Sequence, residues 1–192
     1  MIDRFKILLA SSSPRRKEIL EMVRAKVRVL PSNAEESIYP TPEETAIKNA
    51  EFKVLAVKDK AEPDEIILAA DTIVVFNGKV LGKPSNKQEA IEFLKKLSSN
   101  YHTVITGFAL LFPDGKLVSG LEKTEVKFKR MSLKEIEWYV ETGEPMDKAG
   151  AYGIQGIGAI FIERIEGDYF NVMGLPIGKI YDILTLETKN LN

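Results

Sequence analysis

IILAADTIVVF, residues 66–76, is the stretch that decides the fold. Branched and aromatic side chains dominate it, and the dipeptide Asn77-Gly78 that follows is the preferred two-residue turn of a β-hairpin. We therefore predict a buried strand over residues 66–76 that turns back into a second strand. Asp71 stands inside this apolar stretch, where a carboxylate is costly to bury unless it is paired, hydrogen-bonded or bound to a metal. This position favours a functional role for Asp71 over a carboxylate that only satisfies backbone amides at a kink.

Helix signals and strand signals are mixed on both sides of this stretch. Some predicted strands alternate with helices, whereas others are joined in hairpins, so the sequence predicts an α/β fold with a central mixed β-sheet. The predicted strands cover residues 6–10, 26–30, 66–76, 101–112, 117–131 and 159–165. Helices are predicted from residue 14 to about 23, from 42 to about 58, from Ser85 to 97, from Ser132 to about 143, and from 176 to 186.

The predicted helix starts rest on capping residues. A serine or threonine followed three residues later by Glu or Gln forms a capping box, which satisfies two orphan amides at a helix start. Three such boxes occur, at Thr41 with Glu44, Ser85 with Gln88, and Ser132 with Glu135. The first helix instead starts at Ser13-Pro14, with serine as the N-cap and proline at the first helical position.

Composition limits the function classes that are open to the chain. Its 192 residues, of which 44% are hydrophobic, are expected to form a single domain over residues 1–192. A net charge of -1 provides no general field for nucleic acid or anionic membrane. No stretch approaches the length of a membrane span and the N-terminal apolar run is too short for a signal peptide, so a cytoplasmic location is expected by elimination.

Metal chemistry is limited in the same way. The absence of cysteine excludes thiolate metal sites, and the single histidine, His102, excludes a zinc site built on several imidazoles. A divalent metal would need oxygen ligands, which favours Mg²⁺ or Mn²⁺. Glu35 and Glu36 are either solvated loop acids, or one of them completes such a site with Asp71. His102 itself is expected to satisfy a strand end rather than to catalyse.

Ser11-Ser12-Ser13-Pro14-Arg15-Arg16 is a candidate phosphate site. A strand ends there and a helix begins, and the exposed amides and positive dipole end of a helix start attract anions. Cations in the first helical turn oppose that dipole, which makes sense if a phosphate chain normally occupies the site. The alternative is a solvated basic face whose long side chains point away.

Two lysines and a glutamine are further candidates. Lys53 lies on the apolar stripe of the second helix, which favours a side chain extending to water over one that contacts phosphate. Lys83 follows the hairpin and is predicted to return toward Asp71, unless it is an ordinary loop cation. Gln155 lies in a glycine-dense segment, where its amide can match the carbonyl and N–H groups of uracil or thymine. Its alternative is a polar residue in a flexible loop.

Five segments together resemble the Maf family of nucleotide pyrophosphatases over almost the whole chain. They are LASSSPRRKEIL (9–20), AADTIVV (69–75), LGKP (81–84), HTVITG (102–107) and KAGAYGIQGIGAIFIERIEGDYFNVMGLPI (148–177). The resemblance implies an elongated, two-lobed α/β fold similar to inosine triphosphate pyrophosphatases, and a homodimer. It implies hydrolysis of dTTP or UTP, with CTP and modified pyrimidine nucleotides as further substrates, to the monophosphate and pyrophosphate.

The resemblance also implies roles for individual residues. Asp71 is the implied catalytic base, and Arg15, Thr72 and Gln155 are implied to set base preference. Further implied site positions are Ser11, Arg16, Glu36, Lys53 and Lys83, and from the residues themselves we add Ser13 as a phosphate contact and Asp71 with Glu36 as metal ligands. The family often has aspartates in the loop 32–36, and this chain has Asn33 and Glu35 in place of two of them. Within this loop, the resemblance therefore implies a metal-binding role for Glu36 alone.

Two other functions fit the sequence. One is a nucleotide-binding regulator of septum formation or cell division that does not turn over its ligand, to which the family resemblance also points. The other is a phosphatase of a different phosphorylated metabolite. A nucleic-acid-binding module is disfavoured by the balanced charge and by the lack of a basic aromatic surface.

Overall fold

The computed structural model describes residues 2–189 and their side chains as far as Glu187. Short 3₁₀ turns accompany the regular elements at several points. The strands are β1 (Lys6–Leu9), β2 (Lys26–Val29), β3 (Glu65–Phe76), β4 (Lys79–Leu81), β5 (Tyr101–Leu111), β6 (Leu117–Phe128) and β7 (Ile162–Glu166). The helices are α1 (Pro14–Met22), α2 (Pro42–Leu55), α3 (Lys87–Leu97), α4 (Leu133–Glu141), α5 (Tyr169–Met173) and α6 (Ile177–Lys189).

Within residues 2–189, the strands form one mixed sheet of seven strands. Its order is β2-β1-β3-β5-β6-β7, with β4 paired to β3. β1 runs parallel to both β2 and β3, whereas β4 is antiparallel to β3 and β7 is antiparallel to β6. The predicted α/β fold with a central mixed sheet is therefore confirmed. The Asn77-Gly78 turn is also confirmed, since both residues have positive φ angles, as a tight hairpin turn requires.

The chain divides into two compact units. Unit one contains residues 1–71, 106–122 and 174–192, and unit two contains residues 72–105 and 123–173. In unit one, α2 packs its Ala50 and Val54 with Leu8 of β1 and Ile67 of β3 in an apolar cluster. The unit-two cluster joins α3 and α4 to aromatic residues such as Phe128, Tyr152 and Phe161. Each unit thus has its own core.

Two of the predicted capping boxes are confirmed in full. The Thr41 hydroxyl accepts a hydrogen bond from the Glu44 amide, and the Glu44 carboxylate accepts one from the Thr41 amide. Ser132 and Glu135 make the same reciprocal pair at the start of α4. The capping box fixes the residue at which α2 begins, and helical geometry then determines which later side chains share a face.

The predicted start of α1 is confirmed, because Ser13 is the N-cap and Pro14 is the first helical residue, although the Ser13 side chain makes no capping hydrogen bond. Two other local predictions need correction. The cap of α3 is Asn86, whose side chain accepts from the Glu89 amide, and Ser85 instead donates to the Glu89 carboxylate, so the predicted box is displaced by one residue. The last strand begins at Ile162, because residues 156–161 form a 3₁₀ helix.

Gly107 of β5 sets how closely α2 approaches the sheet within unit one. A methyl group built on Gly107 would lie 2.5 Å from the backbone nitrogen of Ile47 and would overlap the carbonyl group of Ala46. Only glycine permits this contact between strand and helix backbones. Within the described residues, no helix combines the length and apolar content that crossing a membrane requires.

Candidate functional site

Asp71 is a buried carboxylate on β3 and is the centre of the site in unit one. Its side chain is 9% exposed, and both of its oxygens have partners. Oδ1 accepts a hydrogen bond from the ammonium group of Lys53 at 2.7 Å, and Oδ2 accepts one from the side-chain amide of Asn49 at 3.1 Å. The cost of burying the charge is therefore offset by an opposite charge and a hydrogen bond, as expected for a carboxylate among apolar residues.

Lys53 joins Asp71 to a second carboxylate. Its Nζ lies 2.7 Å from Asp71 Oδ1 and also 2.7 Å from Glu36 Oε1. Only 12% of the Lys53 side chain is exposed, so the expectation that it extends to water is wrong. The reason is that Lys53 makes charge-assisted hydrogen bonds to two carboxylates of unit one, Asp71 on β3 and Glu36 in the loop before α2, and these bonds replace hydration of the ammonium group.

Asn49 was not identified from the sequence, although it touches the central carboxylate. It is 3% exposed and lies one turn before Lys53 on α2, so the two side chains share a face of the helix. Its Nδ2 donates to Asp71, and its Oδ1 accepts from the Ser37 amide at 2.9 Å. Asn49 thereby ties the loop that carries Glu36 to Asp71. The available signal was an asparagine, a poor helix former, on a buried helical stripe.

The predicted phosphate turn is built around Ser11 and Arg16. The Ser11 hydroxyl oxygen accepts from the Ser13 amide at 3.2 Å and from Arg16 Nη1 at 3.1 Å, and Arg16 Nε donates to the Gly174 carbonyl at 2.8 Å. These contacts hold the guanidinium at the point where β1 leads into α1. The alternative of an Arg16 side chain extended into solvent is therefore wrong.

The electrostatic environment of Arg16 links this turn to the two carboxylates. Burial lowers the pKa of the Arg16 guanidinium from its ordinary value, while the negative charges of Asp71 and Glu36 raise it and the charge of Arg15 lowers it. The first turn of α1 contains no acidic residue that would complement the helix dipole. Unit one thus gathers three cations, Arg15, Arg16 and Lys53, near two carboxylates at a helix start, an arrangement suited to an anion with a bound cation.

The remaining predicted residues belong to unit two. Thr72 follows Asp71 on β3 and is partly buried, and Lys83 is exposed in the loop after β4. The carbonyl of Gly82, next to Lys83, accepts a hydrogen bond from the Gly150 amide at 3.1 Å. Gln155 is exposed at the start of the 3₁₀ helix Gly156–Phe161, and its side chain makes no capping hydrogen bond to that helix. Its position leaves the amide available to a ligand.

The carboxylates of the site can be compared with the ligands that a divalent metal requires. Among the residues whose side chains are described, no three Asp, Glu or His side chains converge as a metal-binding group. Asp71 and Glu36 do converge, but on the ammonium group of Lys53. Two carboxylates fit Mg²⁺, which is commonly bound by one or two carboxylates with substrate phosphates as further ligands. An ion shared by both carboxylates would require Lys53 to turn away.

His102 lies in the core of unit two. Its Nε2 is 2.7 Å from the Tyr152 hydroxyl, and its ring packs edge-on against Phe128 and Tyr152. Burial lowers the pKa of His102 to about 4, so the ring is neutral at pH 7. This supports the structural role expected for it.

Comparison with known proteins gives the same assignment as the motifs. A family model described as Maf-like protein matches residues 6–187. The chain belongs to the Maf-like family. It is 52% identical to the dTTP/UTP pyrophosphatase of Pyrococcus furiosus, covering 96% of both chains. It is 49% identical to the dTTP/UTP pyrophosphatase of Thermosipho melanesiensis, covering 93% of this chain and 96% of that one.

A solved structure shares the fold. The HAM1 protein from Coxiella burnetii matches with a TM-score of 0.50 and 16% sequence identity, over 94% of this chain and 98% of that chain. At this identity the likeness concerns the fold alone, and it agrees with the predicted α/β class.

Proposed function

We propose that this member of the Maf-like family hydrolyses dTTP and UTP between the α and β phosphates. The observation that carries the proposal is the buried Asp71, held by Lys53 and Asn49 and accompanied by Glu36 and Arg16 in unit one. Relatives at about half identity that are named dTTP/UTP pyrophosphatases support the same activity. CTP and modified pyrimidine triphosphates are proposed as further substrates.

Binding of the triphosphate is proposed to rest on the cations and on the start of α1. Arg15, Arg16 and Lys53 neutralise phosphate oxygens, and the hydroxyl groups of Ser11 and Ser13 donate hydrogen bonds to them. The family resemblance further implies that Lys83 is a phosphate-binding cation and that Thr72 and Arg15 influence the choice of base. The chain is nearly neutral overall, so the attraction for a polyanion has to come from this local group of charges.

Asp71 is proposed to be the residue that acts on the attacking water. A carboxylate has about four lone-pair sites, and Lys53 and Asn49 use two of those on Asp71. The others can accept a hydrogen bond from water and orient it toward the α-phosphorus, with pyrophosphate as the leaving group. With the Lys53 ammonium group turned from the two carboxylates to phosphate oxygens, Asp71 and Glu36 would hold Mg²⁺ or Mn²⁺, which would polarise the phosphorus and neutralise charge on the leaving pyrophosphate.

Product identification tests this proposal against its alternatives. We expect dTTP incubated with the protein and Mg²⁺ to yield dTMP and pyrophosphate, measured by ³¹P NMR or ion-exchange chromatography. Release of orthophosphate would identify a phosphatase of another class. Unchanged dTTP that nevertheless binds would identify a nucleotide-binding regulator of cell division. The same screen with CTP and modified pyrimidine triphosphates gives the substrate range.

Replacing Gln155 with alanine is expected to weaken discrimination between nucleotides. The variant removes the amide that would pair with the carbonyl and N–H of uracil or thymine, so kcat/KM for UTP should fall about 10- to 100-fold while that for GTP changes little. Gln88→Ala is the matched control, because Gln88 is exposed on α3. An unchanged ranking of nucleotides in Gln155→Ala would refute the base-reading role.

Replacing Asn49 with alanine is expected to slow turnover more than it weakens binding. Asp71 would lose one of its two partners, and the Ser37 amide would lose its acceptor. A hydrogen bond to a charged group contributes about 1.5–3 kcal/mol, which corresponds to a loss in kcat of roughly 10- to 100-fold. Steady-state kinetics of dTTP hydrolysis measure it. Lys48→Ala, the exposed neighbour on α2, is the control, and equal kcat values for both variants would contradict an orienting role for Asn49.

Assembly and location complete the proposal. The family resemblance supports a homodimer, which sedimentation velocity would report as twice the monomer mass of 21.5 kDa. A cytoplasmic location is also proposed, and cell fractionation would test it.

A further inference from the structure

Glu144 lies at the turn after α4, and both of its carboxylate oxygens accept hydrogen bonds from neighbouring groups of unit two. Oε1 accepts hydrogen bonds from the Tyr139 hydroxyl at 2.8 Å and from the Gly158 amide at 2.9 Å, and Oε2 accepts one from the Ile157 amide at 2.8 Å. Burial acts against ionisation, but these hydrogen bonds outweigh it and lower the pKa of Glu144 from its ordinary value. The carboxylate is therefore charged at neutral pH and makes charge-assisted bonds.

These bonds hold the loop that carries Gln155 from both sides. Ile157 and Gly158 lie after Gln155, and their amides bind Glu144 directly. Gly153 lies before Gln155, and its amide donates to the Tyr139 hydroxyl at 3.2 Å, which itself donates to Glu144. Residues 153–158 thus close around a single carboxylate, and Gln155 is exposed at the tip.

The loop is closely fitted to this carboxylate and would be mobile without it. Gly156 has a φ of 74°, and a Cβ atom at this position would lie 2.7 Å from Glu144 Oε2. Three glycines among six residues give the segment an unusually large conformational entropy to lose. A side chain that selects a ligand has to be held to within about 0.5 Å, so this flexibility must be offset by fixed contacts. Glu144 provides them.

We propose that Glu144, together with Tyr139, is a positioning residue that aims Gln155 and thereby determines discrimination between nucleotide bases. The inference rests on the proposed base-reading role of Gln155. Glu144 does not contact the nucleotide in this account, since the Tyr139 hydroxyl and two loop amides occupy its oxygens. Its effect reaches the substrate only through the conformation of residues 153–158.

The variant Glu144→Gln tests the proposal. Glu141→Gln is the matched control, because the Glu141 side chain is exposed on α4. Glutamine keeps the size of the side chain but replaces one acceptor oxygen with a donor, which would face a loop amide that also donates. We expect the ratio of kcat/KM for UTP to that for GTP to fall about 10-fold, with most of the loss in KM for UTP. Tyr139→Phe, which removes one hydroxyl from the same network, should give a smaller loss in the same direction.

A double-mutant cycle separates positioning from a general structural effect. If Glu144 acts through Gln155, then Glu144→Gln added to Gln155→Ala should cause no further loss of discrimination. Additive losses in the double variant would overturn the proposal, as would an unchanged UTP to GTP ratio in Glu144→Gln. If Glu144→Gln does not fold, the same cycle with Tyr139→Phe decides the question by the same criterion.

Amide hydrogen exchange provides a measurement that does not depend on turnover. We expect the amides of residues 153–158 to exchange at least about 10-fold faster in Glu144→Gln than in Glu141→Gln, without nucleotide present. Unchanged protection of these amides would overturn the positioning role of Glu144. If exchange is faster but the protein does not hydrolyse dTTP or UTP, Glu144 holds the loop 153–158 and only the proposed function is wrong. Failure of the proposed function can therefore be distinguished from failure of the positioning role.

Discussion

Asp71→Asn is expected to lower kcat for dTTP hydrolysis by about 10³-fold or more while the substrate still binds. Asparagine keeps the shape of the side chain and can still accept a hydrogen bond on one oxygen. It removes the negative charge that pairs with Lys53, and it places an amide where a carboxylate oxygen would accept a proton or a metal. Single-turnover kinetics with Mg²⁺ give the chemical step, and calorimetry with dTTP gives the affinity.

The control for this variant is Asp64→Asn. Asp64 lies just before β3, is 59% exposed and pairs with Lys6. Loss of a single exposed ion pair changes stability little, so turnover should stay at the wild-type level. An Asp71→Asn protein with near-normal kcat would show that the centre of the reaction lies elsewhere. A loss of binding equal to the loss of turnover would show that Asp71 binds the substrate complex rather than acting on the attacking water.

The sequence predicted that the Asp71 carboxylate needs a partner, but it did not predict that the Lys53 side chain is buried. Both outcomes have one physical explanation. A carboxylate in an apolar strand is unusual in itself, because burial without a partner is so costly, and the anomaly is visible in eleven consecutive residues. Its partners are 18 and 22 residues away, on a helix whose position depends on tertiary packing. Helical periodicity correctly predicted that Lys53 lies on the buried stripe of α2. It could not predict that two carboxylates from other parts of the chain hold the ammonium group there.

Local rules failed where two adjacent residues could meet the same need. Ser85 and Asn86 are both good N-caps, and each has a Gln or Glu three residues later, so the spacing alone cannot choose between them. In the structure, Asn86 caps the helix and Ser85 contacts the Glu89 carboxylate. Glu144 was missed for a different reason: its partners are backbone amides of a glycine-rich loop, and sequence patterns do not record where an amide points.

Gly107→Ala is expected to lower stability strongly although Gly107 does not belong to the candidate site. The added methyl group would overlap backbone atoms of Ala46 and Ile47, which, unlike a side chain, cannot rotate away. Overpacking typically costs about 1–3 kcal/mol, and a backbone clash places this variant at or above the upper limit. For a chain of this length about 3 kcal/mol corresponds to a fall in Tm of roughly 6–12 °C, which differential scanning calorimetry measures.

Gly178→Ala is the matched control in the same unit. A methyl group on Gly178 would meet no atom of the described residues within 4 Å, and alanine favours a helix over glycine by up to about 1 kcal/mol, so Tm should stay the same or rise. Gly107→Ala should also lower kcat at temperatures where the protein is still folded. The strand can accept the methyl group only if α2 moves away, and α2 carries both Asn49 and Lys53, which hold the Asp71 carboxylate. A variant that melts early but keeps full kcat below its transition would show that α2 keeps its position and that the clash is relieved in β5 instead. The close contact between the β5 backbone and the α2 backbone would then matter for stability alone, and Asn49 and Lys53 would still hold the Asp71 carboxylate.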